Sequence, residues 1–178
     1  RSQKMRSSTF AAFDSQNYPI LAVSGIDINY NETALAKPNG LAPLRLHNDF
    51  DDNVAILKIF PGITQALFIS ILGIKNLKGL IIETFGSGNI PNEVWFIECL
   101  KKAVENQIII LNVSQCSGGD VIHGRYETSK KLSEIGIISG GNITTESALV
   151  KLMLLLGTKK SNEMVKNSLK SPMNGEMD

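Results

Sequence analysis

Four short runs of apolar, mainly β-branched residues recur along the sequence, and each is followed by a stretch with helical spacing. The runs span residues 54–60, 79–85, 107–113 and 137–138. The helical stretches span residues 64–72, 92–106, 128–135, 144–156 and 163–169. Alternating strands and helices are typical of parallel sheets, in which helices cover both faces of strongly apolar strands. We therefore predict an α/β fold with a small parallel sheet of about four strands flanked by helices.

The first 48 residues are less regular. Ser15 to Pro19 has the composition of a turn, and residues 26–30 alternate apolar and polar side chains, which predicts a half-buried strand. Residues 31–47 contain two prolines and a glycine with little periodicity, which indicates a linker. We divide the chain into a segment at 1–30, a linker at 31–48 and an α/β domain at 49–178.

Composition excludes several classes of function. The 178 residues carry a net charge of +1, which gives no electrostatic footprint for nucleic acid or a membrane surface. No apolar run reaches the roughly 18–20 residues needed to span a bilayer. Because the chain begins with Arg1 and not Met, we expect a fragment of a longer protein. Such a fragment should self-associate or expose a sizeable apolar patch, and residues 1–30 should be its least independently stable part.

The cysteines and histidines give no metal signature. Cys99 and Cys116 lie far apart without a CxxC or CxxH partner, so two reduced thiols are the simplest interpretation. His123 near Cys116 resembles a Cys/His nucleophile pair, but no third group to orient the base is evident. With two histidines and no acidic pair at ligand spacing, we predict no metal site.

Ligands of parallel sheets bind beyond the carboxyl ends of the strands, so the loops there are the places to search. In the loop from Phe85 to Pro91, Asn89 follows two glycines separated by Ser87. Two interpretations are open: the Asn89 amide contacts a polar ligand or a neighbouring subunit, or it caps the next helix. We place Pro91 at the first helical position.

The other two loops carry further candidates. The loop from residue 114 to 128 is long and contains Asp120, His123, Arg125, Tyr126 and Glu127. The loop from 139 to 146 contains Gly140 and Gly141, which either cradle an anion or only precede a helix capped by Asn142 or Thr144.

Taken together, these loops resemble the C-terminal portion of the type I (cytoplasmic-type) L-asparaginases. The similarity covers nearly the whole chain, and the matching stretches lie at 1–22, 61–62, 83–91, 114–116, 124–126, 136–153 and 174–177. It implies an asparaginase-type C-terminal domain preceded by a tail from the N-terminal domain. It also implies a cytoplasmic protein that hydrolyses L-asparagine to L-aspartate and ammonia without a cofactor.

The resemblance places the chemistry outside this chain. Family members use a threonine nucleophile in a Thr-Gly-Gly-Thr segment and a second Thr-Asp pair, all in the N-terminal domain. This sequence contains neither pattern, so we predict no catalytic residue here and no activity of the isolated chain. The expected partners are the missing N-terminal catalytic domain and further copies of the protein in a dimer or tetramer.

What the resemblance assigns to this chain is substrate binding. Asn89 matches the asparagine that the family sends across the subunit interface, and Tyr126 matches a tyrosine of type I enzymes. A register shift of one residue would make Glu127 the relevant group. Two alternatives stay open: a stand-alone binding or interaction module on an α/β scaffold, and the asparaginase-like subunit of a tRNA-dependent amidotransferase.

Overall fold

The fold is built from thirteen elements in the part of the chain that the computed structural model describes, namely residues 1–37, 43, 46–124, 127–158 and 160–178. In chain order these elements are β1 (Gln3–Lys4), β2 (Phe13–Asp14), β3 (Ala22–Ser24), β4 (Ile28–Tyr30), β5 (Val54–Lys58), α1 (Gln65–Leu72), β6 (Gly79–Thr84), α2 (Val94–Glu105), β7 (Ile109–Ser114), α3 (Glu127–Glu134), β8 (Ile138–Ser139), α4 (Thr145–Gly157) and α5 (Asn162–Leu169).

The central feature is a four-stranded parallel sheet with the strand order β5-β6-β7-β8. This arrangement confirms the predicted α/β fold. The two inner strands are buried almost throughout, as their apolar runs require. β5 lies at an edge, where Ile56 remains 44% exposed, so the expectation that all strands are covered on both faces is wrong for β5.

Alternating residues of the strands feed two separate apolar cores. Leu80, Ile82 and Ile110 pack with Phe68 of α1 and Phe96 of α2. On the other face, the core joins side chains of β6, β7, β8, α4 and α5, namely Ile81, Ile109, Leu111, Ile138, Leu152 and Val165. Removing apolar surface from water contributes about 25 cal/mol per Å². Burial of apolar side chains on both faces is therefore the main term that stabilises this sheet.

The helix N-termini predicted from the sequence are confirmed in part. Thr64 caps α1, with its hydroxyl accepting the N–H of Leu67 at 3.3 Å. Thr144, and not Asn142, caps α4. α2 begins at Val94 with Glu93 before it, so the prediction that Pro91 occupies the first helical position is wrong. None of the described helices is long and apolar enough to cross a membrane.

Residues 1–30, here called the N-terminal segment, form two small antiparallel pairs, β1-β2 and β3-β4. The turn predicted near Ser15 is present, where Tyr18 N–H donates to the Ser15 carbonyl at 3.0 Å. The strand predicted at 26–30 is correct in type, but its burial is not, because β4 is exposed throughout. Of the predicted linker, residues 38–42, 44 and 45 lie outside the described residues.

Candidate functional site

Three loops meet at the carboxyl edge of the sheet, because β6, β7 and β8 are neighbours and run parallel. Hydrogen bonds join these loops to one another. Ile122 N–H donates to the Ser87 carbonyl at 3.3 Å, and Val121 N–H donates to the Gly141 carbonyl at 2.9 Å. Ser114 Oγ donates to the Gly86 carbonyl at 2.6 Å. The three loops therefore form one connected surface, as the rule for parallel sheets predicts.

Asn89 lies in a tight turn that follows β6. The turn is closed by two backbone hydrogen bonds between Phe85 and Asn89, of 3.0 Å and 2.9 Å. Gly88 has φ of 107°, and a Cβ there would come within 2.9 Å of the Val121 side chain. Only glycine therefore fits this position, and the turn brings the following amide to a fixed place.

The Asn89 side chain itself is half-buried and makes no hydrogen bond to any described residue. It does not cap α2, whose N-cap is Glu93, so the capping interpretation is wrong. A carboxamide has two donor hydrogens and an acceptor oxygen, and the turn presents them here without a partner among the described residues. The geometry leaves this group available for a ligand or another subunit.

A buried network of polar side chains lies beneath this turn. Thr84 Oγ1 donates to Asn112 Oδ1 at 2.6 Å, and both side chains are fully buried. Asn112 Nδ2 lies 3.4 Å from His123 Nε2 and also next to Gly88. Burial lowers the pKa of His123, so its ring is neutral near pH 7. This network of hydrogen bonds connects β6 and β7 to the second loop.

Sequence reasoning missed Asn112 because it lies within an apolar run. A polar residue with apolar neighbours on both sides of it in a strand was the available signal, since buried amides require partners. The Cys/His interpretation gains nothing, because no hydrogen bond joins Cys116 to His123 in the described structure. Both cysteines are free, and Cys116 is exposed.

The third loop does not offer an anion cradle. Gly140 N–H donates to the Asn112 carbonyl at 2.8 Å, and Gly141 N–H donates to Ser139 Oγ at 3.2 Å. Both donors are therefore occupied, and the simpler interpretation of these glycines holds. Asn142 turns away from the helix and pairs with Asp178.

The N-terminal segment packs over the second and third loops. Asn17 Nδ2 donates to the carbonyls of Gly119 at 3.2 Å and Asn142 at 3.1 Å. Ser117 Oγ donates to Gln3 Oε1 at 3.0 Å. These contacts bring the segment to the candidate site even though most of its apolar side chains are exposed.

Three other candidate side chains are not described by the structure. Tyr126 and Arg125 lie outside the described residues, and the side chain of Glu127 is not described either. Tyr126 therefore stays a prediction. Among the described residues, no group of three or more His, Cys, Asp or Glu side chains is arranged to hold a metal ion.

Comparison with known proteins identifies the family. Residues 53–169 match the family profile of the glutaminase/asparaginase C-terminal domain. The chain therefore belongs to this family, through a C-terminal domain of the asparaginase type. A solved structure, L-asparaginase I from Vibrio cholerae, superimposes with a TM-score of 0.92 at 32% identity, over 100% of this chain and 53% of that chain.

Two curated relatives carry different names. L-asparaginase 1 of Escherichia coli K12 is 32% identical over 99% of this chain and 52% of its own length. The human protein named 60 kDa lysophospholipase is 36% identical over 99% of this chain and 31% of its own length. The chain thus spans between about a third and half of the length of these relatives.

Proposed function

We propose that the whole protein is an L-asparaginase that hydrolyses the side-chain amide of L-asparagine to L-aspartate and ammonia. Family membership supports the reaction class, and the Asn89 carboxamide, which makes no hydrogen bond to any described residue, is the observation that supports a substrate-binding role for this chain. The sequence has neither a Thr-Gly-Gly-Thr segment nor a Thr-Asp pair. The nucleophile therefore belongs to an N-terminal catalytic domain outside this chain.

In this proposal the domain supplies an interface and contacts to the substrate. Subunits of a homodimer or tetramer pair so that Asn89 of one copy reaches the active site of the next. Tyr126 supplies a second contact from the neighbouring loop. A small zwitterion needs its ammonium and carboxylate fixed together, and polar groups held in place reject ligands that lack a matching partner. The parent enzyme acts in the cytoplasm and needs no cofactor.

The direct test joins this chain to the N-terminal domain of its parent protein and measures ammonia release from L-asparagine. Asn89→Ala should lower kcat/KM by about 10- to 100-fold, because a hydrogen bond to a charged group contributes roughly 1.5–3 kcal/mol. Asn92→Ala, at an exposed position nearby, is the matched control and should leave kcat/KM unchanged. A folded intact protein that releases no ammonia would contradict the proposal.

A second test uses the isolated chain. Half of the proposed pocket is absent from it, so calorimetry should detect very weak or no binding of asparagine or aspartate. Tight binding by the isolated chain would favour the alternative of a stand-alone binding module. A neutral charge balance gives no support to the tRNA-dependent amidotransferase subunit, for which tRNA-dependent amide transfer is the distinguishing assay.

The name of the human relative introduces one more activity to test. The family match and the asparaginase relative support amide hydrolysis for the intact protein. Assaying one intact preparation with L-asparagine and with lysophosphatidylcholine distinguishes the two, since only the first should be consumed.

A further inference from the structure

A buried lysine connects α4 to the last residues of the chain. Lys151 is only 4% exposed. Its Nζ donates to the Ser171 carbonyl at 2.6 Å and the Leu169 carbonyl at 3.4 Å, and it lies 3.2 Å from Met177 Sδ. It also pairs with Glu176 Oε1 at 2.7 Å. A buried ammonium without partners costs several kcal/mol, so this cation requires the tail in place.

The paired carboxylate also organises the tail. Glu176 accepts backbone N–H groups of Met173 at 3.0 Å and Asn174 at 2.8 Å. Burial by itself would raise the pKa of Glu176, but the hydrogen bonds from Lys151 and the backbone outweigh it and lower the pKa to about 2. Met177 is inserted into the apolar core beside this pair. The tail is therefore held both by the hydrogen bonds of Glu176 and by the burial of Met177.

The next residue of the tail contacts the candidate site. Asn142 Nδ2 donates to Asp178 Oδ2 at 2.5 Å, and Asp178 N–H donates back to Asn142 Oδ1 at 3.0 Å. Arg1 adds an ion pair to Asp178 at 2.7 Å. The Asn142 carbonyl accepts from Asn17, whose second acceptor is the Gly119 carbonyl. A continuous set of hydrogen bonds thus runs from the tail to both loops.

We propose that residues 171–178 form a clasp that positions the loop between β8 and α4 and, through Asn17, the loop after β7. Lys151 anchors the clasp, and Asn142 is the positioning residue through which it acts. The consequence for substrate binding rests on the proposed function, whereas the clasp itself does not. In the intact enzyme, loosening the clasp should raise KM more than it lowers kcat, because loop order contributes to binding of the ground state.

The test measures hydrogen exchange of this chain, and it needs no enzymatic activity. Asn142→Asp places a carboxylate against Asp178, so the amides of residues 140–144 should exchange at least 10-fold faster. The amides of β6 should be unchanged. Adding Asp178→Asn to that variant restores a carboxylate–amide pair with the roles exchanged, and it should return exchange to within about threefold of the original. Asn92→Asp, at an exposed site, is the control for charge.

The outcomes separate the clasp from a passive tail. If exchange in residues 140–144 does not change in Asn142→Asp, or if Asp178→Asn fails to restore it, the proposal is overturned. If Asn142→Asp does not fold, Asp178→Ala gives the same readout, because the Asp178 side chain is 81% exposed and the buried Arg1 side chain keeps its hydrogen bonds to the Asn17 and Gly175 carbonyls. Faster exchange confined to 140–144 and 115–119 supports the clasp, and unchanged exchange contradicts it. If Asn142→Asp abolishes ammonia release by the intact enzyme but leaves hydrogen exchange unchanged, the clasp is contradicted and the proposed function is not.

Discussion

The parallel sheet and the N-terminal segment are stabilised in opposite ways. Strands β6 and β7 are buried almost throughout between two helical layers. Strands β1 to β4 contain two or three residues each, and β2, β3 and β4 are exposed along their whole length. Phe10 and Ile26 of the segment are fully exposed, at 108% and 105%. Apolar burial therefore stabilises the sheet, whereas the segment gains little from it.

What holds the segment in place is polar. The Arg1 guanidinium donates to carbonyls at Asn17 and Gly175 and lies over the ring of Tyr18, 5.1 Å from its centroid. Such contacts specify a position but contribute only about 0.5–1.5 kcal/mol each. The sheet therefore determines whether the chain folds, and the polar groups of the N-terminal segment determine where that segment lies on the domain.

The largest expected difference between the two regions comes from one aromatic truncation in each. Phe96 is fully buried, with its ring 4.7 Å from that of Phe68 and 5.5 Å from that of Trp95. Phe96→Ala should lower the free energy of unfolding by about 3–5 kcal/mol in urea titrations, because it leaves a cavity. Phe10→Ala should change it by less than about 0.5 kcal/mol. Equal losses of unfolding free energy at the two sites would contradict the difference in how the two regions are stabilised.

Acid should destabilise the domain through the clasp. The pKa of Glu176 is about 2 in the folded chain, below its ordinary value of 4.5. The unfolded chain therefore binds more protons between these values, and the stability from ionised Glu176 is lost as pH falls from about 4.5 to about 2. We expect a contribution on the order of 2 kcal/mol, measured by urea titration across this range. Glu176→Gln should flatten that part of the pH profile, and an unchanged profile would contradict the prediction.

An effect of similar size should come from the polar network within the sheet. Asn112→Ala removes the acceptor of the Thr84 hydroxyl, which keeps only the Val113 carbonyl at 3.3 Å. We expect a loss of about 1–3 kcal/mol, the usual cost of removing one partner of a buried hydrogen bond. Thr84→Val combined with Asn112→Ala should cost less than the sum of the two single changes. Additive losses would show that the pair is not coupled.

The sequence predicts the sheet well because apolar periodicity is a local signal, and both cores use the residues that this signal marks. It also predicts the turn that contains Asn89, since two glycines around Ser87 indicate a special turn. Other features depend on contacts between distant parts of the chain. Nothing local shows that Asn142 pairs with a residue 36 positions later, or that Lys151 is buried against the tail. The exposure of β4 likewise depends on what covers it, which an alternating pattern does not specify.

The smallest predicted effect tests the polar attachment of the segment. Asn17→Ala removes the two hydrogen bonds to the Gly119 and Asn142 carbonyls. Because these carbonyls regain water when the segment lifts, we expect a local cost of only about 1 kcal/mol. Hydrogen exchange should therefore quicken about fivefold in residues 2–18 while the amides of β6 and β7 stay protected. Asn29→Ala, on the exposed strand β4, is the matched control and should change neither region. Loss of protection in the sheet would mean that the segment and the sheet fold as one cooperative unit, and the contrast between them would then be one of burial alone.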